Sequence, residues 1–247
     1  DGAGDTAMYA VRDEVNDFTK LPYYGPIGAI MKVTGDEGQV DSEYYVKFEG
    51  NGVWSETIAP GTTTSLDAAT MPHAIVRNAN GTFTYAPLTW TDRKAGDADT
   101  NPDPTFIGKT CNNISFYKNR LVLLADENII FSEAGSYYNF FATSVAAQLA
   151  TDMIDLAATS NEVSILKHVI PYNEELLLFS DRAQFKVQSS EAALSPTGTG
   201  ISLSTRFEHD PTVEPVGAGN YIYFTQNKGD KTALREYFVE PDTTNND

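Results

Sequence analysis

At 247 residues the chain is long for one average domain and short for two, and 41% hydrophobic residues are enough to bury a core. Its 34 acidic against 17 basic residues leave a formal net charge of -17, which excludes a nucleic-acid binder built on phosphate neutralisation and a surface drawn to anionic lipid. A single cysteine, Cys111, excludes an intramolecular disulfide and a multi-cysteine zinc site, and no apolar run reaches the ~18 residues of a membrane helix.

From the N-terminus, Met8, Val11, Val15 and Phe18 recur at helical spacing, which predicts a helix capped by Asp5 or Thr6 and ended by Pro22. Tyr44, Val46 and Phe48 then alternate with Tyr45, Lys47 and Glu49. Gly50-Asn51-Gly52 and the run Val53 to Ile58 follow, so a hairpin is expected. Residues 1–68 read as a small α+β domain, with Gly61 to Ser65 as a hinge out of it. Ala74 to Arg77 and Thr82 to Tyr85 flank Asn78-Ala79-Asn80-Gly81, a second hairpin.

Beyond residue 70 the helical signal fades and one pattern returns three times. Leu121 to Leu124, a turn at Ala125 to Asn128, and Ile129 to Ser132 form the first copy. Leu176 to Phe179, a turn at Ser180 to Ala183, and Gln184 to Val187 form the second. Tyr221 to Phe224, a turn through Gly229, and Ala233 to Val239 form the third. Each copy is strand, tight turn, strand, with turn residues that tolerate positive φ. A spacing of about 45 to 55 residues is that of propeller blades of about four strands, and three blades do not close a ring. Ile201, Leu203, Thr205 and Phe207 alternate as a further strand, and Val163 to Leu166 supply a short one. Val145, Leu149, Met153 and Leu156 fit a helix, while Asp152 to Leu156 also fit an edge strand. The expected fold is therefore mainly β. Antiparallel β-propeller-like blades, an incomplete propeller, fill residues 69–247 behind the small N-terminal α+β domain. Both termini read as cuts in loops, the expectation for a fragment of a longer chain.

Chemistry is harder to find. Asp97, Asp99, Asn101 and Asp103 offer oxygens at alternate positions, as a calcium loop begins, but Pro102 stands where such a loop needs Gly and Gly108 where it needs Glu. The bland reading, a Pro-pinned surface loop, is preferred. A glycosidase needs two carboxylates flanking its substrate; Glu174, Glu175, Asp181 and Glu133 are candidates, with Trp54 or Trp90 as sugar platforms. With 34 acidic residues some pair always suggests itself, and solvated faces are the simpler account. Ser132 and Ser180 lie beside carboxylates without a histidine at a suggestive spacing or a nucleophile elbow. His168 reads as a core or edge histidine, and Cys111 as a buried small hydrophobe. No catalytic, cofactor or metal site is expected, and the chain reads as a structural component.

Three stretches are specific together: Thr89 to Asp97 running on to Asn101 to Phe106; Phe116 to Leu121 through Phe131-Ser132-Glu133-Ala134-Gly135 to Phe141; and Leu178 to Phe185 with its Ser180-Asp181-Arg182-Ala183-Gln184 run. On these the chain resembles the nozzle proteins, or tail tubular proteins B, of short-tailed bacteriophages, most strongly from about 71 to 190. The resemblance implies a virion tail protein with a propeller-like body, assembled as a hexameric ring that forms the distal tail tube. It implies a tail adaptor protein as partner, tail fibres as a further candidate partner, and passage of DNA without specific binding. The competing reading is a tail domain that binds or depolymerises carbohydrate on the host surface.

Overall fold

The computed structural model describes residues 12–35, 43–160, 162–172 and 175–239. These fall into two compact units, one reaching to Asp103 and including Tyr138–Met153, the other formed by Pro104–Tyr137 and Ile154 onward. The fold is mainly β with several antiparallel sheets, and the helical element among the described residues is one 3-10 turn, Phe18–Lys20.

In the first unit, β1 (Glu14–Val15), β2 (Ile30–Val33), β3 (Tyr44–Gly50) and β4 (Val53–Thr57) form a sheet in that order. It is mixed, because β1 runs parallel to β2 while the other pairs are antiparallel. Val15, Met31, Val33, Val46, Phe48 and Trp54 build its core. The β3–β4 hairpin stands as expected, with Gly50, Asn51 and Gly52 all at positive φ. The expected N-terminal helix does not hold where it can be checked. Met8 and Val11 lie outside the described residues, Val15 is in β1, and Phe18 is exposed on the 3-10 turn. Four apolar points are too few to stabilise a helix by themselves. β-branched Val15 instead gains a buried place in the sheet, and Asp17 caps the short turn by accepting from Thr19 N.

The same unit carries a two-stranded ribbon, β5 (His73–Arg77) and β6 (Phe83–Pro87), joined as expected through Asn78 to Gly81. Asn78 Nδ2 donates to the hydroxyls of Thr82 and Thr84, and Asn80 Oδ1 accepts from Thr82 N, so the turn is tightly tied. Gly81, at φ +84°, supplies the left-handed position that a side chain would strain.

The second unit contains β7 (Cys111–Tyr117), β8 (Arg120–Ala125), β9 (Asn128–Phe131), β10 (Ile154–Ala157), β11 (Leu166–Tyr172), β12 (Glu175–Ser180), β13 (Gln184–Ser189), β14 (Thr199–Thr205), β15 (Val216–Ala218), β16 (Tyr221–Lys228) and β17 (Lys231–Tyr237). They form three meanders in chain order, β7 to β10, β11 to β14 and β15 to β17, antiparallel throughout. The three recurrent copies in the sequence are the second and third strands of these sheets. β12 explains why its copy reads Leu-Leu-Leu-Phe. Leu176 and Leu178 pack with Val122, Leu124, Ile129 and Phe131 of the first meander, while Leu177 and Phe179 pack with Ile222 and Phe224 of the third. A strand buried on both faces shows a continuous apolar run rather than alternation.

Other expectations need correction or resolution. Phe116 to Leu121, quoted above for the resemblance, comprises the end of β7, a two-residue turn with Lys118 and Asn119 both at positive φ, and the start of β8. Of Val163 to Leu166 only Leu166 is in a strand, because Val163 is exposed and Ser164 N is taken by Glu127 Oε1. The ambiguous stretch near residue 150 resolves as the edge strand β10, with Ile154 opposite Phe131 and Leu156 opposite Ile129. Leu149 is exposed, so the helical spacing there marks no buried face.

Candidate functional site

The Asp97 loop spends its oxygens on itself. Asp97 Oδ1 accepts from the N–H groups of Asp99 and Thr100 and from the Thr100 hydroxyl. The Thr100 N–H above all holds this carboxyl below the usual carboxylate range. Asn101 is no surface residue: buried, it donates through Nδ2 to Ala95 O and Ala142 O and accepts from Ala142 N. Asp103 is bound to Arg93 at 2.6 Å. The four side chains point to separate tasks, and among the described residues no group of three or more His, Cys, Asp or Glu is placed to hold a metal ion.

Glu175 and Asp181, two of the carboxylates proposed for sugar chemistry, do not converge. Glu175 begins β12 and binds Lys186 at 2.8 Å, while Asp181 follows the other end of the same six-residue strand. At about 3.3 Å per residue that puts them roughly 20 Å apart, beyond the ~5 to 9.5 Å over which paired carboxylates act on one glycosidic bond. Glu133 sits in a turn bridged to Ser136, and Glu174 lies outside the described residues. Neither tryptophan is a platform. Trp54 is buried against Phe48 with Nε1 donating to Pro22 O, and Trp90 is buried against Tyr138 and Phe140.

The serines serve turns. Ser132 is fully buried, its Oγ accepting from Leu121 N and donating to Glu133 O. Ser180 Oγ donates to Ala183 O and accepts from the N–H groups of Arg182 and Ala183. Cys111 corrects its expected burial: at the first position of edge strand β7, beside a bulge, it is exposed. His168 lies on β11, half-buried, with its ring edge against His209 at 5.3 Å and Nε2 donating to Pro211 O.

His209, missed in the sequence, is buried between Phe179 and Phe224 and donates from Nε2 to Val213 O. Burial pushes its pKa below the ordinary 6.5, and His168 adds to that. The folded state therefore holds His209 neutral while the unfolded chain takes up a proton below about pH 6.5. Stability is full above that pH and falls as the pH drops toward the lowered folded value. The depressed carboxylates Asp97 and Asp210 titrate below the ordinary 3.8, so between about pH 6.5 and 5 they add little to the slope. Denaturant unfolding at pH 7.5 and 5.5 is expected to show lower stability at pH 5.5, with the difference reduced in His209→Gln. An undiminished difference in that variant would rule His209 out as its source.

Two buried arginines, also missed, explain what the familiar motifs do. Arg120 donates to Ser132 O at 2.7 Å and to Leu194 O at 3.0 Å, so the Asn-Arg-Leu run and the Ser-Glu-Ala-Gly run meet in space. Asn119 completes the junction: its carbonyl accepts from Gly135 N and its Oδ1 from the Tyr137 hydroxyl. Gln184, at the end of the Ser-Asp-Arg-Ala-Gln run, is buried and holds Thr205 Oγ1 and Phe207 O. Arg93 ties Thr63 O and Asp103 beneath Phe141. A buried charge in sequence gives no signal beyond its company of aromatic and turn residues, which is why these positions were legible as motif and not as role.

Residues 1–247 match the bacteriophage nozzle protein family. The tail tubular protein gp12 of Escherichia phage T7 is 36% identical over 245 residues, covering 99% of this chain. The chain spans 31% of the length of that relative. A family match over every residue shows that the chain belongs to the bacteriophage nozzle protein family.

Proposed function

We propose that the chain is a structural part of the tail nozzle of a short-tailed bacteriophage, lining part of the conduit by which the genome leaves the virion, and that it carries no catalysis of its own. The observation behind this is the family match along the whole chain, and Arg93, Arg120 and Ser180 of the motifs make structural bonds.

The three meanders are read here as propeller-like blades. β11 packs beside β7 and β15, the first strands of the flanking sheets, and β14 packs beside β10, the last strand of its neighbour. Successive sheets aligned first strand to first strand are what radial repetition about an axis produces. The division at residue 68 belongs to the same proposal: the mixed sheet lies before it, and every named sheet after it is antiparallel. The expected partners are further copies of the chain in a hexameric ring, a tail adaptor and tail fibres. A net charge of -17 suits a wall that DNA must slide past, since like charge keeps phosphates off it.

The test is location and inertness together. Gold-labelled antibody fragments against the chain are expected on the distal tail tube of intact particles, and label confined to the capsid or absent from particles would overturn the reading. The purified chain should release no reducing ends from capsular polysaccharide. Sustained release abolished by Glu175→Gln or Asp181→Asn would restore the carbohydrate reading.

A further inference from the structure

The β5–β6 ribbon is largely exposed along both strands. Ile75 is 69% exposed, Phe83 65% and Tyr85 69%, and cross-strand pairing of Ile75 with Tyr85 and Arg77 with Phe83 puts them on one face. An isolated hairpin is marginal in water, and unguarded edges with apolar faces invite pairing. Yet this one has a well-tied turn, and its base is anchored by buried Met71 and Trp90. Such a patch marks an interaction site.

Charge points to the occupant. Residues 68 to 91 contain no Asp or Glu, and Arg77 is their strong cation, in a chain whose net charge is -17. A second copy of the chain is an acidic partner for that tip. The same chain also carries a second uncovered apolar patch. Tyr23 and Tyr24 meet edge to face at 4.9 Å, Tyr23 and Ile27 lie against Gly52 and Gly50 of the β3–β4 turn, and Val53 is exposed beside them. Exposed Glu49 borders this turn. A cyclic assembly needs two different apolar surfaces on each protomer, one to give and one to receive.

We infer that the β5–β6 ribbon is an assembly arm that docks its Ile75–Phe83–Tyr85 face on the Tyr23–Ile27–Val53 patch of a neighbouring copy, with Arg77 toward that copy's Glu49, whose carboxylate it would share with Lys47. This rests on the tail-subunit reading. The test places the photo-crosslinking residue p-benzoyl-phenylalanine at Tyr85 in phage particles that carry the chain, followed by mass spectrometry of the crosslinked peptides. A crosslink to residues 18 to 58 of a second copy is expected, its yield cut by about fivefold in Arg77→Glu, the upper end for an exposed ion pair. These side chains are exposed, so the thermal melt of each purified variant should be unchanged. A crosslink to a different protein, to another part of a second copy, or to nothing in particles that contain the chain would overturn the arm and leave the tail reading standing. Particles that lack the chain would overturn the tail reading, and the arm with it.

Discussion

Replacing Phe185 with alanine is expected to cost about 3 to 5 kcal/mol, the range for deleting a buried phenylalanine without collapse of the site. Phe185 has no exposed surface and lies on β13, where it faces Leu178 on one neighbouring strand and Leu203 on the other. Its ring joins the cluster that binds the first two meanders of the second unit, with Phe131, Ile154 and Leu166 among the residues of that cluster. Strands on both sides fix the backbone, so relaxation cannot fill the space. At about 2 to 4 °C per kcal/mol for a protein of this size, calorimetry should show the melting temperature falling by roughly 6 to 20 °C. Ile114→Ala, on the exposed face of edge strand β7, is the control and should stay within about 0.5 kcal/mol. A loss below about 1 kcal/mol for Phe185→Ala would mean that the two sheets do not share a close-packed core.

That core was legible before any coordinates because its strands are dense in residues suited to a pleated, buried surface, and because each tight turn between them is polar. The first strands of the same meanders were not. β7 reads Cys-Asn-Asn-Ile-Ser-Phe-Tyr, with two residues depleted in strands, and it forms because β8 supplies a ladder along one side, continuous from Asn113 to Tyr117. β11 contains Pro171, which would argue against a central strand; it is tolerated because β11 is at the edge of its sheet. Tertiary context decided both. The helix expected near residue 15 failed for the converse reason, a local pattern too short to resist a sheet. In the candidate site, sequence misjudged Cys111 and Asn101. Nothing in composition says whether a small side chain at a strand end faces water, or whether an amide in a turn is folded inward to satisfy carbonyls from a segment 41 residues away.

The second large effect is expected at Arg93, and its asymmetry with Asp103 is the informative part. The guanidinium is 3% exposed, donates to Thr63 O and Asp103 Oδ1 at 2.6 Å each, and lies 4.7 Å from the centre of the Phe141 ring. Its backbone N–H also donates to Thr64 O, so one residue holds the segment at 63–64, the Asp97 loop and the aromatic run near 141 together. The buried Nε has no hydrogen-bond partner, a cost that the remaining contacts offset. Arg93→Ala removes charge-assisted hydrogen bonds worth about 1.5 to 3 kcal/mol in this setting, together with the packing of the stem. Asp103, at 58% side-chain exposure, can return to water once released. Asp103→Ala keeps the packing of the arginine stem and the bond to Thr63 O but leaves the buried guanidinium without its carboxylate, so it should cost about 1 to 3 kcal/mol, less than Arg93→Ala. Arg93→Lys is expected to fall between them, because a single ammonium cannot reproduce the planar fork that reaches a carbonyl and a carboxylate at once. Denaturant titration of the three variants measures the order directly. Equal losses for Arg93→Ala and Asp103→Ala would show that the ion pair itself carries the stability. Full rescue by lysine would show that charge alone suffices. Either result would remove Arg93 as the clamp of the first unit.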